Sequence, residues 1–349
     1  MVSIALEGVI YGILVDMSYG SRLLRRVALL GALIGCGGVA AGMLIVTESQ
    51  QASYNYAVAP IDTTEAFPLG VDPRNATINE QIIINEFYDD FLAKHDFQSN
   101  SWWSRVTAVL QTNNAFQLLA SPVSRIIVIW PGERSEQATK NIGDVLRWDT
   151  AQRAEFSTLM TDNELSFDQG FVPPGQYITH RYATPADIAN QLQSSFADSV
   201  TDRYTADIER VVPLADTLII ASLIEREASD FTNMREISGV IWNRLFIDMK
   251  LQLDASLQYV KAENPNDENW WPAVRPADKF LDSEFNTYQN AGLPPAPIAN
   301  PSVEAIVATL NPMVTDCLYY FHSRTGEYYC SVTYPEHVAK LAEVYGLNQ

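Results

Sequence analysis

Two glutamates close an otherwise apolar stretch of this chain. In LIIASLIEREASD, Leu218–Asp230, the residues stay hydrophobic for most of two helical turns before Glu225 and Glu227 follow two positions apart. A carboxyl group in dry surroundings resists ionisation, so it keeps its proton near neutrality and can serve as a general acid. At about 3.6 residues per turn, Glu225 shares a face with Leu214, Leu218, Ala221 and Ser222, whereas Glu227 points about 200° away. The segment is apolar nearly all round from Leu218 to Ile224. That predicts a buried central helix with Glu225 as the first ionisable group on its inward stripe. Glu227, beside Arg226 and near Asp230, is expected at the wetter end, and the two cannot flank one substrate bond. The competing reading pairs Glu225 with Arg226 or another cation at a helix end. Helical geometry leaves both open.

Other chemistries find little support. There is no G-x-S-x-G or H-E-x-x-H motif, and His95, His180, His322 and His337 are scattered, which argues against a serine or metallo-hydrolase. No metal site and no cofactor are expected. Cys317 and Cys330 flank LYYFHSRTGEYY, which reads as a β-hairpin with Gly326 in its turn. An oxidising compartment permits a bridge between them, with strand register deciding whether it forms. The net charge of −19 repels polyanions, so nucleic acid is not an expected partner.

The elements that must position these groups can be read along the 349 residues, a length that suits two ordinary domains. Val27–Val46 is an uninterrupted apolar run whose roughly 20 residues match about 30 Å of bilayer hydrocarbon. Arg22, Arg25 and Arg26 precede it. The positive-inside tendency therefore leaves residues 1–26 as a cytoplasmic tail, 27–46 as a single transmembrane helix and the rest outside the cytoplasm. Leu33–Cys36 also resembles a lipobox, and a cleaved signal is the third reading; all three place the bulk of the chain outside. Residues 47–122 read as a juxtamembrane linker and helical region. VSRIIVIWPGE is a strand stopped by Pro131 and Gly132, then SEQATKNIGDVLRW is helical, FVPPGQYIT turns into a strand, and Thr184 caps a helix beginning at Pro185. A helix from about Leu214, another through NMREISGVIWNRLFIDM, a short helix SVEAIVATL and the hairpin complete an α+β arrangement.

Several ordered stretches carry a resemblance: ASLIEREA, SGVIWNRL, LQLDAS, FNTY, GLPPAPIANPSVEAI, LNPMVTDCLYYF and SVTYPEH. In order and spacing they resemble the YceG-like (MltG) endolytic murein transglycosylases, strongly over the C-terminal 140 or so residues. The resemblance implies that residues 205–349 form a lytic transglycosylase catalytic domain and that residues 123–204, around IVIWPGE to VLRW, form a LysM-like α/β module. It makes Glu225 the catalytic residue. Its implied partners are peptidoglycan glycan strands, the cell membrane, and peptidoglycan synthases or division proteins. Asn243, Gln252, Asp254, Asn286, Thr287 and Tyr288 are the candidate substrate-binding residues. Asp254 also suits an N-cap, and Asn243 a buried hydrogen bond to backbone. Leu253, Ala255, Ser256, Phe285 and Tyr328 depart from the usual family residues. Those departures motivate the rival expectation, a non-catalytic membrane-anchored peptidoglycan-binding or divisome scaffold.

Overall fold

Apolar periodicity and helix caps account for most of the elements. The computed structural model describes residues 65–79, 124–228, 230–262 and 269–346. The expected transmembrane run, Cys36 and the helical stretches within 80–123 lie outside the described residues; among the described residues no helix is long and apolar enough to cross a membrane.

Strand β3 (Ser124–Ile129) ends before Pro131, as its sequence requires, and pairs antiparallel with β4 (Gly175–His180), Ser124 opposite His180 and Ile129 opposite Gly175. Between them come α1 (Ser135–Leu146) and α2 (Thr150–Thr161), and α3 (Pro185–Ser199) follows. The cap of α3 is the expected one: Thr184 and Asp187 form a reciprocal capping box with Pro185 in the first turn. Ile127, Ile129, Ile142, Phe156 and Leu192 fill a core belonging to this β-α-α-β-α part. A short pair, β1 (Val71–Asp72) with β2 (Thr77–Ile78), precedes it in the chain.

The C-terminal part is mainly helical. After α4 (Ala206–Val211) come α5 (Leu214–Glu227) and α6 (Phe231–Phe246), then α7 (Asp254–Ala262) and α8 (Val303–Leu310). Helix α5 is the expected central element. Every residue from Thr217 to Ile224 is buried, and α6 and α8 both pack on it. Fully burying a side chain such as Leu218, Ile220 or Leu223 contributes about 2 kcal/mol, so α5 is held by packing on all sides. The hairpin β5 (Tyr319–His322) and β6 (Tyr328–Ser331) is followed by α9 (Tyr334–Tyr345), and Cys317 is disulfide-bonded to Cys330. Gly326 occupies the left-handed region, with φ 87°, in the hairpin turn.

One extended segment joins the two parts. Ile298 N–H donates to Ser222 Oγ on α5 at 3.0 Å, and Ser302 bonds Glu225, three positions beyond Ser222 on the same helix. Asn300 between them is fully buried. Its Oδ1 accepts the Gly170 and Val172 N–H groups at 2.8 and 3.0 Å, and its Nδ2 donates to the Glu133 carbonyl at 2.9 Å. Its backbone exchanges two more bonds, N–H to Glu133 O and C=O from Gly132 N–H. Truncation would strand two buried N–H donors and weaken the hold on a third group. Asn300→Ala should therefore lose about 3 kcal/mol or more of stability, read as a lower urea midpoint with an unchanged m-value.

Candidate active site

Glu225 sits in the last turn of α5, where the buried run gives way to partial solvent access. Its Oε2 accepts two hydrogen bonds from one residue, Ser302 N–H at 2.9 Å and Ser302 Oγ–H at 2.5 Å. Ser302 is also the N-cap of α8, its Oγ accepting the Ala305 N–H. Oε1 accepts no hydrogen bond from the described residues. Burial pushes the Glu225 carboxyl up to about 7; the Ser302 donors oppose this, neighbouring Glu304 adds to it and Arg226 opposes it weakly. The group is thus poised to hold a proton at neutrality.

The turn between β3 and α1 covers this residue. A Cβ placed on Gly132 would lie 3.4 Å from Glu225 Cγ and 3.0 Å from Arg226 Nη1, and Gly132 has φ 75°. Only glycine combines that conformation with that proximity at no cost. Arg226 reaches the Gly132 carbonyl at 3.5 Å and lies against the Trp271 ring, its guanidinium carbon 3.8 Å from the centroid. Its charge is therefore turned to the turn and the indole. It forms no ion pair with Glu225 among the described residues, and the cation-paired reading of Glu225 fails.

Glu227 corrects an expectation. It is not at a wet end: Oε1 accepts the Ala255 N–H in the first turn of α7 at 3.3 Å, and Oε2 accepts the Tyr320 hydroxyl of β5 at 3.1 Å. Burial raises its carboxyl above the ordinary value too, with Asp254 adding to the effect. Sequence neighbours suggested water, but elements distant in sequence close over this side of α5. Both oxygens are committed, in contrast to Glu225.

The candidate binding residues separate into two groups. Gln252, Asp254, Asn286, Thr287 and Tyr288 come together around the start of α7. Gln252 N–H bonds the Thr287 carbonyl at 3.1 Å, and Tyr288 Oη donates to Asp254 at 2.7 Å. Gln252 and Asp254 are exposed and Tyr288 is half-buried, so these three present polar groups to solvent. Asn286 and Thr287 are interior. Asn286 Nδ2 donates to the Leu281 carbonyl, and Thr287 Oγ1 accepts the Leu253 N–H at 2.9 Å. They hold the loop that presents Tyr288 and have no atom directed outward. Asn243 stands apart, with Nδ2 donating to the Thr315 and Cys317 carbonyls at 2.6 and 3.2 Å. Of its two readings, the backbone-bonded one matches these contacts. Asp254 is the first residue of α7, its carboxylate engaged by Tyr288.

Ser302 and Gly132 border Glu225, and Arg226 lies beside it against Trp271, none of them singled out as site residues. Glu133 joins them, a buried carboxyl pushed up to about 7 by desolvation, with Gln137 and Asn141 donating to its Oε1. The only sequence signal for Ser302 is its place as a serine one residue before a helical run. Among the described residues no group of His, Cys, Asp and Glu could hold a metal ion.

Comparison with known proteins bears on the family of the chain. The endolytic murein transglycosylase of Bacillus subtilis strain 168 is 31% identical over 170 residues, which is 48% of this chain and 46% of that protein. The protein of the same name from Streptococcus pneumoniae serotype 2 is 27% identical over 176 residues, 50% of this chain and 32% of its own length. The chain thus spans less than half the length of these curated relatives. A crystal structure of a YceG-like protein from Listeria monocytogenes superposes with a TM-score of 0.53 at 25% identity, covering 62% of this chain and 75% of that one. The model of the YceG-like family matches residues 74–343, most of the described fold including α5 and its two glutamates, and the chain belongs to that family.

Proposed function

We propose that this protein is an endolytic peptidoglycan lytic transglycosylase in which Glu225 is first general acid and then general base. The observation that carries the reading is the inequality of its two oxygens: Oε2 is held twice by Ser302 while Oε1 is unengaged. A carboxyl group fixed by one oxygen presents the other in a defined direction, which proton transfer requires. Oε1–H gives its proton to the glycosidic oxygen between N-acetylmuramic acid and N-acetylglucosamine as that bond to C1 breaks. The resulting carboxylate is stabilised by the Ser302 N–H and O–H. It then takes the proton of the muramyl 6-hydroxyl as that oxygen bonds C1, leaving a 1,6-anhydro end and a neutral Glu225. The nucleophile belongs to the substrate, so no second carboxylate nucleophile and no activated water is needed. The names of the curated relatives support the same activity.

Gln252, Asp254 and Tyr288 are the substrate-facing candidates, with the Tyr288 ring available for stacking on a sugar. The β-α-α-β order of residues 124–180 supports a LysM-like glycan-binding module. The Cys317–Cys330 bond supports an extracytoplasmic location, with the membrane anchor supplied by residues 27–46. The non-catalytic scaffold rested on Leu253, Ala255, Ser256, Tyr328 and Phe285, the last packed on Tyr259. The first three are buried, Ser256 with its hydroxyl bonded to Leu253 and Thr287, and Tyr328 stacks on Tyr320, so the departures lie in the interior and leave Glu225 and Ser302 in place.

Digestion of purified peptidoglycan followed by mass analysis of the products should reveal anhydromuramyl ends. Glu225→Gln should reduce their formation by at least about 10²-fold; reducing ends in their place would identify a hydrolase. Glu227→Gln should retain cleavage but lower the melting temperature, because an amide NH₂ would then face the Ala255 or Tyr320 donor. Cleavage should decline as pH rises through about 7, where the acid is lost. The folded carboxyl titrates near 7 against an ordinary 4.5, so the folded state binds the extra proton and stability falls as pH rises across that window. Glu225→Gln should consequently stabilise the protein by about 2 kcal/mol at pH 8, a figure reduced for partial solvent access, and change little at pH 4. Thermal unfolding at both pH values checks the sign.

A further inference from the structure

Two arginines meet the turn that covers Glu225, and among the described residues only one of them is held by a carboxylate. Arg134, two residues after Gly132, donates to Glu136 through Nη2 at 3.1 Å and Nε at 3.4 Å, and to the Tyr259 carbonyl through Nη1 at 3.3 Å. Arg226 is tied more loosely. Its Nη1 reaches the Gly132 carbonyl at 3.5 Å, and its buried Nε has no hydrogen-bond partner. Glu225 lies against the same point of the turn: a Cβ on Gly132 would sit 3.0 Å from Arg226 Nη1 and 3.4 Å from Glu225 Cγ. Both oxygens of Glu227 are engaged, whereas Glu225 is bonded through Oε2 alone. A guanidinium with a spare donor beside a carboxyl with a spare oxygen would pair with it, because charge-assisted bonds of that kind are the strong ones. The Trp271 ring competes for that cation, with the guanidinium carbon 3.8 Å from its centroid. Trp271 is half-buried, packs on the core that contains α5, and donates its backbone N–H to Asn269 Oδ1 at 3.1 Å.

We propose that Trp271 is a positioning residue for Glu225: its indole face retains the Arg226 guanidinium and so keeps that cation from pairing with the acid. This rests on the transglycosylase reading for its catalytic meaning. Trp271 gives and takes no proton; it sets where the neighbouring positive charge stands. The other charged groups on the elements around Glu225 have partners of their own or carry the opposite sign. Glu133, on the covering turn, is engaged with Gln137 and Asn141. On α6, Arg235 and Arg244 donate to the Asn311 and Leu318 carbonyls. On α7, Asp254 accepts the Tyr288 hydroxyl and Lys261 pairs with Asp278. Glu304, on α8, is an anion and favours the protonated acid. Arg226 is thus the cation whose placement decides, and in its stacked position it opposes the effect of burial on Glu225 only weakly.

Substitution at Trp271, alone and together with Arg226, tests the assignment. Trp271→Leu keeps apolar bulk on the core but removes the π face. The released guanidinium should then pair with Glu225 and favour its ionised form, so the alkaline limb of kcat/KM for anhydromuramyl release should move down by about one pH unit. Trp271→Phe keeps a ring for the cation and should restore most of the wild-type limb. In the Arg226→Met background, Trp271→Leu should displace the limb no further, because no cation is left to release. A readout independent of turnover is the infrared C=O band of the protonated Glu225 carboxyl, assigned by difference against Glu225→Gln and followed with pH in each variant, with thermal unfolding showing that each is folded. A downward displacement of limb and band in Trp271→Leu that vanishes without Arg226 supports the proposal. An unchanged limb and band in Trp271→Leu, a Phe variant displaced as far as the Leu variant, or a displacement that persists in the Arg226→Met background overturns it. Absence of anhydromuramyl ends from the wild type would remove the transglycosylase reading alone, since the infrared titration still decides whether Trp271 holds the cation off the acid.

Discussion

The arrangement depends on a carboxyl group anchored through one oxygen at the end of a buried helix. Helix α5 is dry from Thr217 to Ile224, and nothing in that stretch competes for the donors that Ser302 supplies. The two Ser302 bonds hold the charged form, and burial holds the neutral form. Neither wins outright, which is the condition for a group that must both release and recover a proton. A stronger cation beside Glu225 would fix it as a carboxylate, and Arg226 avoids that role because its guanidinium stacks on Trp271.

Placement of Ser302 is in turn a tertiary matter. The Ile298–Ser302 segment is tied to α5 through Ser222 and Glu225 and to the β-α-α-β part through Asn300. Asn300 suits this task because its side chain offers donor and acceptor together in the plane of an amide, matching the backbone groups of Glu133, Gly170 and Val172. On the opposite side of α5, Glu227 binds the start of α7 and a hairpin tyrosine. The two glutamates thus do different work because different elements reach them.

What the sequence disclosed follows from the range of each interaction. The dryness of α5, the inward stripe of Ser222 and Glu225, the Thr184 cap and the Gly326 turn depend on residues within a few positions of each other, and all are present. Helix α2 escaped notice because only Phe156 and Met160 are buried in it, which leaves no long apolar stripe. The Glu225–Ser302 bond spans 77 positions and has no periodic trace. Glu227 was misplaced for the same reason, since Ala255 and Tyr320 are 28 and 93 positions away. Asn286 and Thr287 were recognisable as polar motif residues, yet polarity does not say whether an amide faces outward or ties a loop to itself.

The contact of Gly132 with Glu225 has a bearing on how such chains can be rebuilt. The N-terminal part is not a freely exchangeable attachment: it contributes a side-chain-free turn against the acid, and backbone groups of Gly132, Glu133, Gly170 and Val172 to Asn300. A transplanted module of equal size and similar outline would have to reproduce that bare turn and those carbonyl and amide directions. Without them it would crowd the acid while releasing the strap behind it, so portability ends at Gly132 and Glu133 in the turn and at Gly170 and Val172.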